Sequence, residues 1–355
     1  SASRMPVVAE AMMGLFDGSV SGSGSAADFA VFASLPVVLV VDAARQSHSI
    51  AALVQGFVRF RTEVHVAAIV LNRVGSDRHE TMLRDALQPL GLPILACIGR
   101  NEALTLPQRH LGLVQAEEID QLEAFINKAA DALMDGLDET VLNTLLAEGE
   151  GERSKQAFPA LLPPPGQRIA VARDAAFAFA YPHLLHGWRD AGAEISLFSP
   201  LNNEAPPEDV DFIYLPGGYP ELHAARLSSN SDFMGGLRRA ARHTLVYGEC
   251  GGFMVLGDGL IDADGHRHAM VGLLPVETSF EIRSLQLGYR HAMIPLDAPV
   301  WAGQSVHAHE FHYTSALRCG GDVAFSGVHD AGQKRLPGAG SRVGQVFGSY
   351  LHIIC

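Results

Sequence analysis

At 355 residues the chain exceeds the usual size of one domain, and 48% hydrophobic residues are enough for ordinary buried cores. A formal charge of −13 offers nucleic acid or an anionic membrane no electrostatic gain, so neither is expected as a partner. The four cysteines, Cys97, Cys250, Cys319 and Cys355, include no C-x-x-C pair, which argues against a zinc knuckle or a disulfide framework and fits a reducing, cytoplasmic setting.

No apolar run approaches membrane-spanning length, and no charged-then-apolar leader opens the chain. Because it begins at Ser1 and not at methionine, it is expected to be part of a longer protein. Val7 to Met13 reads as a short apolar strand leading into Glu10-Ala-Met-Met-Gly-Leu-Phe-Asp-Gly18. Carboxylates at the end of such a strand suit Mg²⁺, which takes oxygen ligands, and Glu10 and Asp17 are the candidates. The plainer reading is an Asp-Gly turn. Gly18 to Ser25 looks like a phosphate loop, but no G-x-x-x-x-G-K-[ST] occurs in the chain, so it reads as a flexible loop.

Pro36 to Asp42, Val66 to Asn72 and Leu92 to Ile98 are continuous apolar runs of the kind buried on both faces of a parallel sheet. Helical stretches, Ser49 to Phe57 and His79 to Leu90, separate them, giving a doubly wound α/β pattern. Ligands gather at the carboxyl ends of such strands, which places Asp42, Asn72 and Arg100 on the functional edge. Leu122, Phe125, Ile126, Ala129, Ala130, Leu133 and Leu137 keep helical spacing and predict a closing amphipathic helix. A charged stretch and Leu161-Leu-Pro-Pro-Pro-Gly166 then mark a linker over 148–166, between domains at 1–147 and 167–355.

The second domain starts with strands at Arg168 to Ala172, Glu194 to Phe198 and Asp211 to Leu215, with a helical stretch through Trp188 between the first two. Gly217 and Gly218 follow the third strand and can turn a backbone N–H toward a ligand. The next apolar run, Leu245 to Leu256, is interrupted by Gly248-Glu-Cys-Gly-Gly252, the spacing of a nucleophile elbow. Cys250 would head a helix whose dipole favours thiolate, and the Gly251 N–H would face a developing oxyanion. The bland alternative is a buried, inert cysteine. A thiol nucleophile needs a base. His307, His309 and His312 cluster, but alternation puts His307 and His309 on one strand face and His312 on the other, so a zinc site is poorly supported. His352, after a strand signal near the chain end, is the better base.

These segments carry a family resemblance. Pro216-Gly-Gly-Tyr-Pro-Glu221, the Gly-Glu-Cys-Gly-Gly elbow and Gly348-Ser-Tyr-Leu-His352 resemble the class I glutamine amidotransferase domain of cobyrinic acid a,c-diamide synthases. So do Met13 to Gly18, Leu71 to Gly75, Arg109 to Leu113, Val171 to Phe177, Leu287 to Arg290 and His309 to Tyr313, in order along almost the whole chain.

The resemblance implies a partial P-loop-type, dethiobiotin-synthetase-like nucleotide domain lacking its front part, then a flavodoxin-like amidotransferase domain. It further implies ATP-dependent amidation of the a- and c-acetates of cobyrinic or hydrogenobyrinic acid, a corrin-type macrocycle, with glutamine as nitrogen donor. Cys250 would be the nucleophile, His352 the base and Gly218 and Gly251 the oxyanion donors. Glu10 and Asp17 would hold Mg²⁺, and Asn72 is the candidate nucleotide contact. Without the lysine loop this chain is expected to lack ATP-dependent activity by itself. Typical amidotransferases place a glutamate two residues after the histidine; here Ile354 stands there, so what orients His352 is open. Cobyric acid synthase, the nickel-sirohydrochlorin a,c-diamide synthase and a non-catalytic binding module are the alternatives, and a homodimer is left open.

Overall fold

A computed structural model describes residues 7–11, 14–20, 22–106, 108–109, 112–113, 116, 119, 121–148 and 162–355. The chain divides into two compact units, Ser1–Ala157 and Phe158–Cys355. That boundary falls inside the stretch read as a linker, whose residues 149–161 lie outside the described ones, as do Met13, His110 and Leu111 of the family segments.

In unit 1 the Val- and Leu-rich runs become β1 (Val37–Asp42), β2 (Val66–Val74) and β3 (Ile94–Gly99), a parallel sheet in that order. β4 (Gln108–Arg109) pairs with β5 (Gly112–Leu113). Helices α1 (Ala26–Ala33), α2 (Ser49–Phe60) and α3 (Asp77–Leu87) alternate with the long strands, and α4 (Leu122–Met134) and α5 (Glu139–Glu148) follow. Val41 and Leu71 from the sheet pack on Ile50, Val54, Leu83 and Leu87 from α2 and α3, which is why the periodicity of those helices is real. α3 stops at Leu87 and tightens into a 3₁₀ turn, Gln88–Leu90, because Pro89 has no N–H to continue it.

Two expectations for unit 1 are corrected. Residues 7–11 form no strand, and Val7 and Val8 are exposed. Without a partner strand, nothing offsets the entropy of ordering them. The amphipathic helix expected through Leu137 forms as α4 but ends at Met134, with Leu122, Phe125, Ala129 and Leu133 half-buried along one stripe that contacts β3.

Unit 2 continues with β6 (Arg168–Ala172), α6 (Pro182–Asp190), β7 (Glu194–Phe198), β8 (Phe212–Leu215), α7 (Ala224–Ser229), α8 (Ser231–Ala240), β9 (Leu245–Glu249) and α9 (Gly251–Leu256). Ten strands complete it: β10 (Gly259–Ile261), β11 (Arg267–Ala269), β12 (Val276–Ser279), β13 (Gln286–Met293), β14 (Ser305–His312), β15 (Ser315–Cys319), β16 (Ser326–Asp330), β17 (Ser341–Val343), β18 (Val346–Ser349) and β19 (Leu351–Ile353). The main sheet runs β17-β18-β9-β8-β6-β7, parallel except for β17. Alternate residues feed opposite cores: Ala170, Ile213, Leu215 and Val246 on one face, and Ile169, Val171, Phe212, Tyr214 and Tyr247 on the other. Both faces are therefore covered, as an apolar parallel sheet requires. The chain goes from β6 outward to β7 and then across to β8, so the order reverses there, and ligand-binding loops gather at the carboxyl ends beside such a switch.

Two glycine substitutions separate tight packing from open surface. Gly56 lies on the exposed side of α2 with nothing within 4 Å of an added Cβ, so Gly56→Ala should stabilise unit 1 by roughly 0.5–1 kcal/mol. Gly252→Ala would press a Cβ into the Leu215 carbonyl and should destabilise unit 2 by about 2 kcal/mol or more. Scanning calorimetry of the two variants checks both signs.

Candidate active site

The carboxyl ends of β8, β9 and β18 converge in unit 2. β9 turns into α9 at Cys250, whose backbone sits at φ 45°, ψ −102°, a conformation that a residue with a side chain rarely adopts. The Cys250 N–H donates to the Ser349 carbonyl at 2.8 Å, tying the elbow to the end of β18. Three residues on, His352 lies in β19, where it pairs with His309 of β14. The strand signal expected before this histidine is thus two short strands, with the base inside the second.

Gly217 lies between His352 and Cys250. A Cβ there would strike His352 Cε1 and lie 3.3 Å from its Nε2 and 3.4 Å from Cys250 Cβ, so both side chains close around the same point. The candidate oxyanion donors, Gly218 and Gly251, are adjacent as well. A Cβ on Gly251 would stand 3.0 Å from the Gly218 nitrogen, and the Gly251 N–H hydrogen-bonds the Cys250 sulfur. Cys250, His352, Gly218 and Gly251 therefore form one buried cluster.

Electrostatics corrects one expectation. Cys250 is 4% exposed, and burial, reinforced by the Glu221 carboxylate, pushes its thiol up to about 12. The helix dipole that was expected to favour thiolate is typically worth ~0.3–1 kcal/mol, less than one pKa unit, and α9 has only six residues. Burial also drives His352 down to about 3, with His309 and His312 nearby opposing a further positive charge. The resting pair is neutral thiol and neutral imidazole, the starting state for a general base that takes the proton as the sulfur attacks.

Sequence reasoning missed the residues around the base. His309 stacks flat on His352, with centroids 4.8 Å apart and planes 4° apart, and Tyr181 meets both rings edge-on. His312 instead bonds Glu310, which also pairs with Arg290, so the histidine cluster splits between two tasks. Glu249 was quoted within the elbow but given no role. A carboxylate in a strand otherwise buried on both faces was the available signal. Among the described residues the one group placed to share a metal ion is Asp262, Asp264 and His266, an exposed turn apart from this cluster.

Unit 1 places its candidates separately. Asn72 lies two residues before the end of β2, opposite Asp42 of β1, and Asp42 pairs with Arg73 at 2.8 Å. Glu10 and Asp17 are exposed, and the Asp17 N–H closes a turn onto the Gly14 carbonyl. The glycine-rich loop leads into α1, but Ser25 and Asp28 already satisfy that helix start with a capping box, and Asp28 pairs with Arg61. The chain's lysines are Lys128, Lys155 and Lys334, so the sequence of this loop and of α1 contains none. With a carboxylate at the helix start and no lysine, these residues do not fit a triphosphate.

A family model described as the CobB/CobQ-like glutamine amidotransferase domain matches residues 168–355. Unit 2 is a glutamine amidotransferase domain of that class. A model described as the CobQ/CobB/MinD/ParA nucleotide binding domain matches residues 7–114. The relative from Brucella anthropi named hydrogenobyrinate a,c-diamide synthase is 55% identical over 349 residues, covering 98% of this chain and 79% of the relative. Proteins of the same name from Brucella abortus and Rhizobium meliloti are 56% and 51% identical, each over 98% of this chain and over 79% and 80% of their own lengths. The chain belongs to the hydrogenobyrinate a,c-diamide synthase family.

If Cys250 is the nucleophile, Cys250→Ser should lower glutamate release from glutamine at least ~10³-fold. Cys97→Ser and Cys319→Ser should leave it within about twofold, and an equal loss in either would contradict the assignment.

Proposed function

We propose that this chain belongs to an enzyme that amidates the a- and c-acetate carboxylates of hydrogenobyrinic acid in cobalamin biosynthesis, using glutamine and ATP. The observation that carries this reading is the closure of Cys250, His352 and the Gly218 and Gly251 amides around one point, in a chain more than half identical to synthases of that name. The cobalt-free ring follows the relatives' name, which also disfavours cobyric acid synthase and the nickel-sirohydrochlorin enzyme as the reading. A cytoplasmic location, a homodimer and the absence of a nucleic-acid partner belong to the same reading, supported by family likeness and acidic charge. Among the described residues, no helix is long and apolar enough to cross a membrane.

In the glutaminase half, Cys250 Sγ attacks the carboxamide carbon of glutamine while His352 Nε2 takes the thiol proton. The Gly218 and Gly251 N–H groups stabilise the oxyanion. His352 returns the proton to the leaving nitrogen, ammonia departs, and water attacks the thioester to release glutamate and restore the thiol. Ammonia cannot displace oxide from an acetate carboxylate, and bound Mg-ATP would supply the phosphoryl group that makes that oxygen a leaving group. Glu10 and Asp17 would serve as magnesium ligands through carboxylate oxygens, with Asn72 beside the nucleotide. Since the loop before α1 lacks a cation, no step at the triphosphate is assigned to it.

Mass spectrometry of hydrogenobyrinic acid incubated with glutamine, Mg-ATP and the full-length synthase tests the reading, with a doubly amidated ring expected and an unchanged ring against it. This chain alone should show no tight Mg-ATP binding in calorimetry. In the full-length synthase, Glu10→Gln or Asp17→Asn should raise the magnesium requirement of ammonia-dependent amidation several-fold and leave glutamine hydrolysis intact; superimposable magnesium titrations would remove both residues from the site.

A further inference from the structure

We propose that Glu249, the residue immediately before the nucleophile, is the carboxylate that orients His352, in place of the glutamate that Ile354 replaces. The inference rests on the glutaminase reading of Cys250 and His352 and names the positioning residue that reading lacks.

The geometry assigns each edge of the imidazole. Gly217 stands at the Cε1–Nε2 edge, where a Cβ added to it would also meet Cys250 Cβ, and the His309 ring covers one face. The Nδ1 edge faces Glu249, whose Oε2 is 3.8 Å away, and among the described residues no other carboxylate is within ion-pair reach of a His352 ring nitrogen. That separation is longer than a hydrogen bond, as catalytic contacts often are before substrate arrives.

Glu249 is built in. It is 1% exposed and accepts from Tyr214 Oη at 2.7 Å, Tyr247 Oη at 3.1 Å and the Ile353 N–H at 3.1 Å. A carboxylate has about four acceptor sites, so three donors leave one, and Tyr214 holds only one position on the oxygen that faces His352. The Ile353 N–H belongs to the residue after the histidine, so Glu249 also fixes the backbone of the strand that carries the base. Ile354 turns elsewhere: its carbonyl accepts from His183 and its N–H donates to the His307 carbonyl.

As His352 takes the Cys250 proton it becomes imidazolium in a site that burial makes hostile to positive charge. A carboxylate at Nδ1 holds the tautomer whose Nε2 is free to accept and offsets that charge, without itself taking the proton. The same burial lifts Glu249 to about 7. The charged form is the useful one, so the rate should climb as pH rises through about 7. The titratable groups around this unit are Tyr214, Tyr247, Tyr181, Cys250, Glu221, His309, His312 and Glu310.

The test compares wild type, Glu249→Gln and Glu249→Asp by glutamate release and by the pH dependence of Cys250 alkylation with iodoacetamide. Glu249→Gln should lower kcat at least ~10-fold with little change in KM, slow alkylation at neutral pH and lose the rise near pH 7. Glu249→Asp should keep that rise and recover part of the rate. A Glu249→Gln protein with the wild-type rate and pH profile overturns the proposal, as does a rate loss shared equally by both variants with the pH rise intact. If wild type releases no glutamate, the glutaminase reading fails, and the alkylation profiles still decide whether Glu249 acts on the Cys250–His352 pair.

Discussion

Cys250 is held at a positive φ between a strand and a helix, and the packing that enforces this conformation organises the rest of unit 2. A side chain at φ 45°, ψ −102° costs on the order of 1–3 kcal/mol and persists only where its surroundings over-determine it. Here β18 lies parallel to β9 and ties the Cys250 N–H to Ser349, while Gly252 lets α9 press against the end of β8. The same constraints deliver the other parts. β18 leads within three residues to His352, and β8 leads to Gly217 and Gly218. Three parallel strands ending side by side therefore bring the proposed nucleophile, base and oxyanion donors together.

Burial sets the charge states of this cluster. It holds the Cys250 thiol and the His352 imidazole neutral at physiological pH, so the site does not store a thiolate as a helix-capped surface cysteine would. The energy of creating the ion pair is met when glutamine is in place, where amide donors and a carboxylate behind the histidine can act on it. Such a site spares its thiol from reagents met between turnovers, since the nucleophilic form arises only with a proton acceptor aligned.

The elbow was legible because its residues are adjacent in sequence and its spacing expresses a steric demand that few other turns make. The apolar runs predicted the strands for the same local reason, and only their ends moved, as where Pro89 cut α3 short. What was not legible depends on pairing. Val7 to Glu10 has strand composition but no neighbour, and composition cannot report that. The stack of His309 on His352 follows from the register of β14 against β19, two strands about forty residues apart in the chain. In unit 1, the strand expected to end at Asn72 runs on to Val74, and the capping of α1 by Asp28 is what removes the glycine-rich loop from contention as a phosphate cradle.

Glu249 joins these themes. Its folded pKa of about 7 lies above the ~4.3 of an exposed glutamate, so the unfolded chain ionises first and folding pays an increasing penalty as pH rises between those values. At neutral pH the penalty is on the order of 3 kcal/mol, a sizeable fraction of a domain's stability. Two tyrosine hydroxyls and a backbone N–H reduce that cost without removing it. A glutamine would fill the same space without the charge. A strand that otherwise obeys the apolar pattern keeps a carboxylate at the one position bordering the nucleophile, against its own stability, and the His352 Nδ1 edge is where that charge can act.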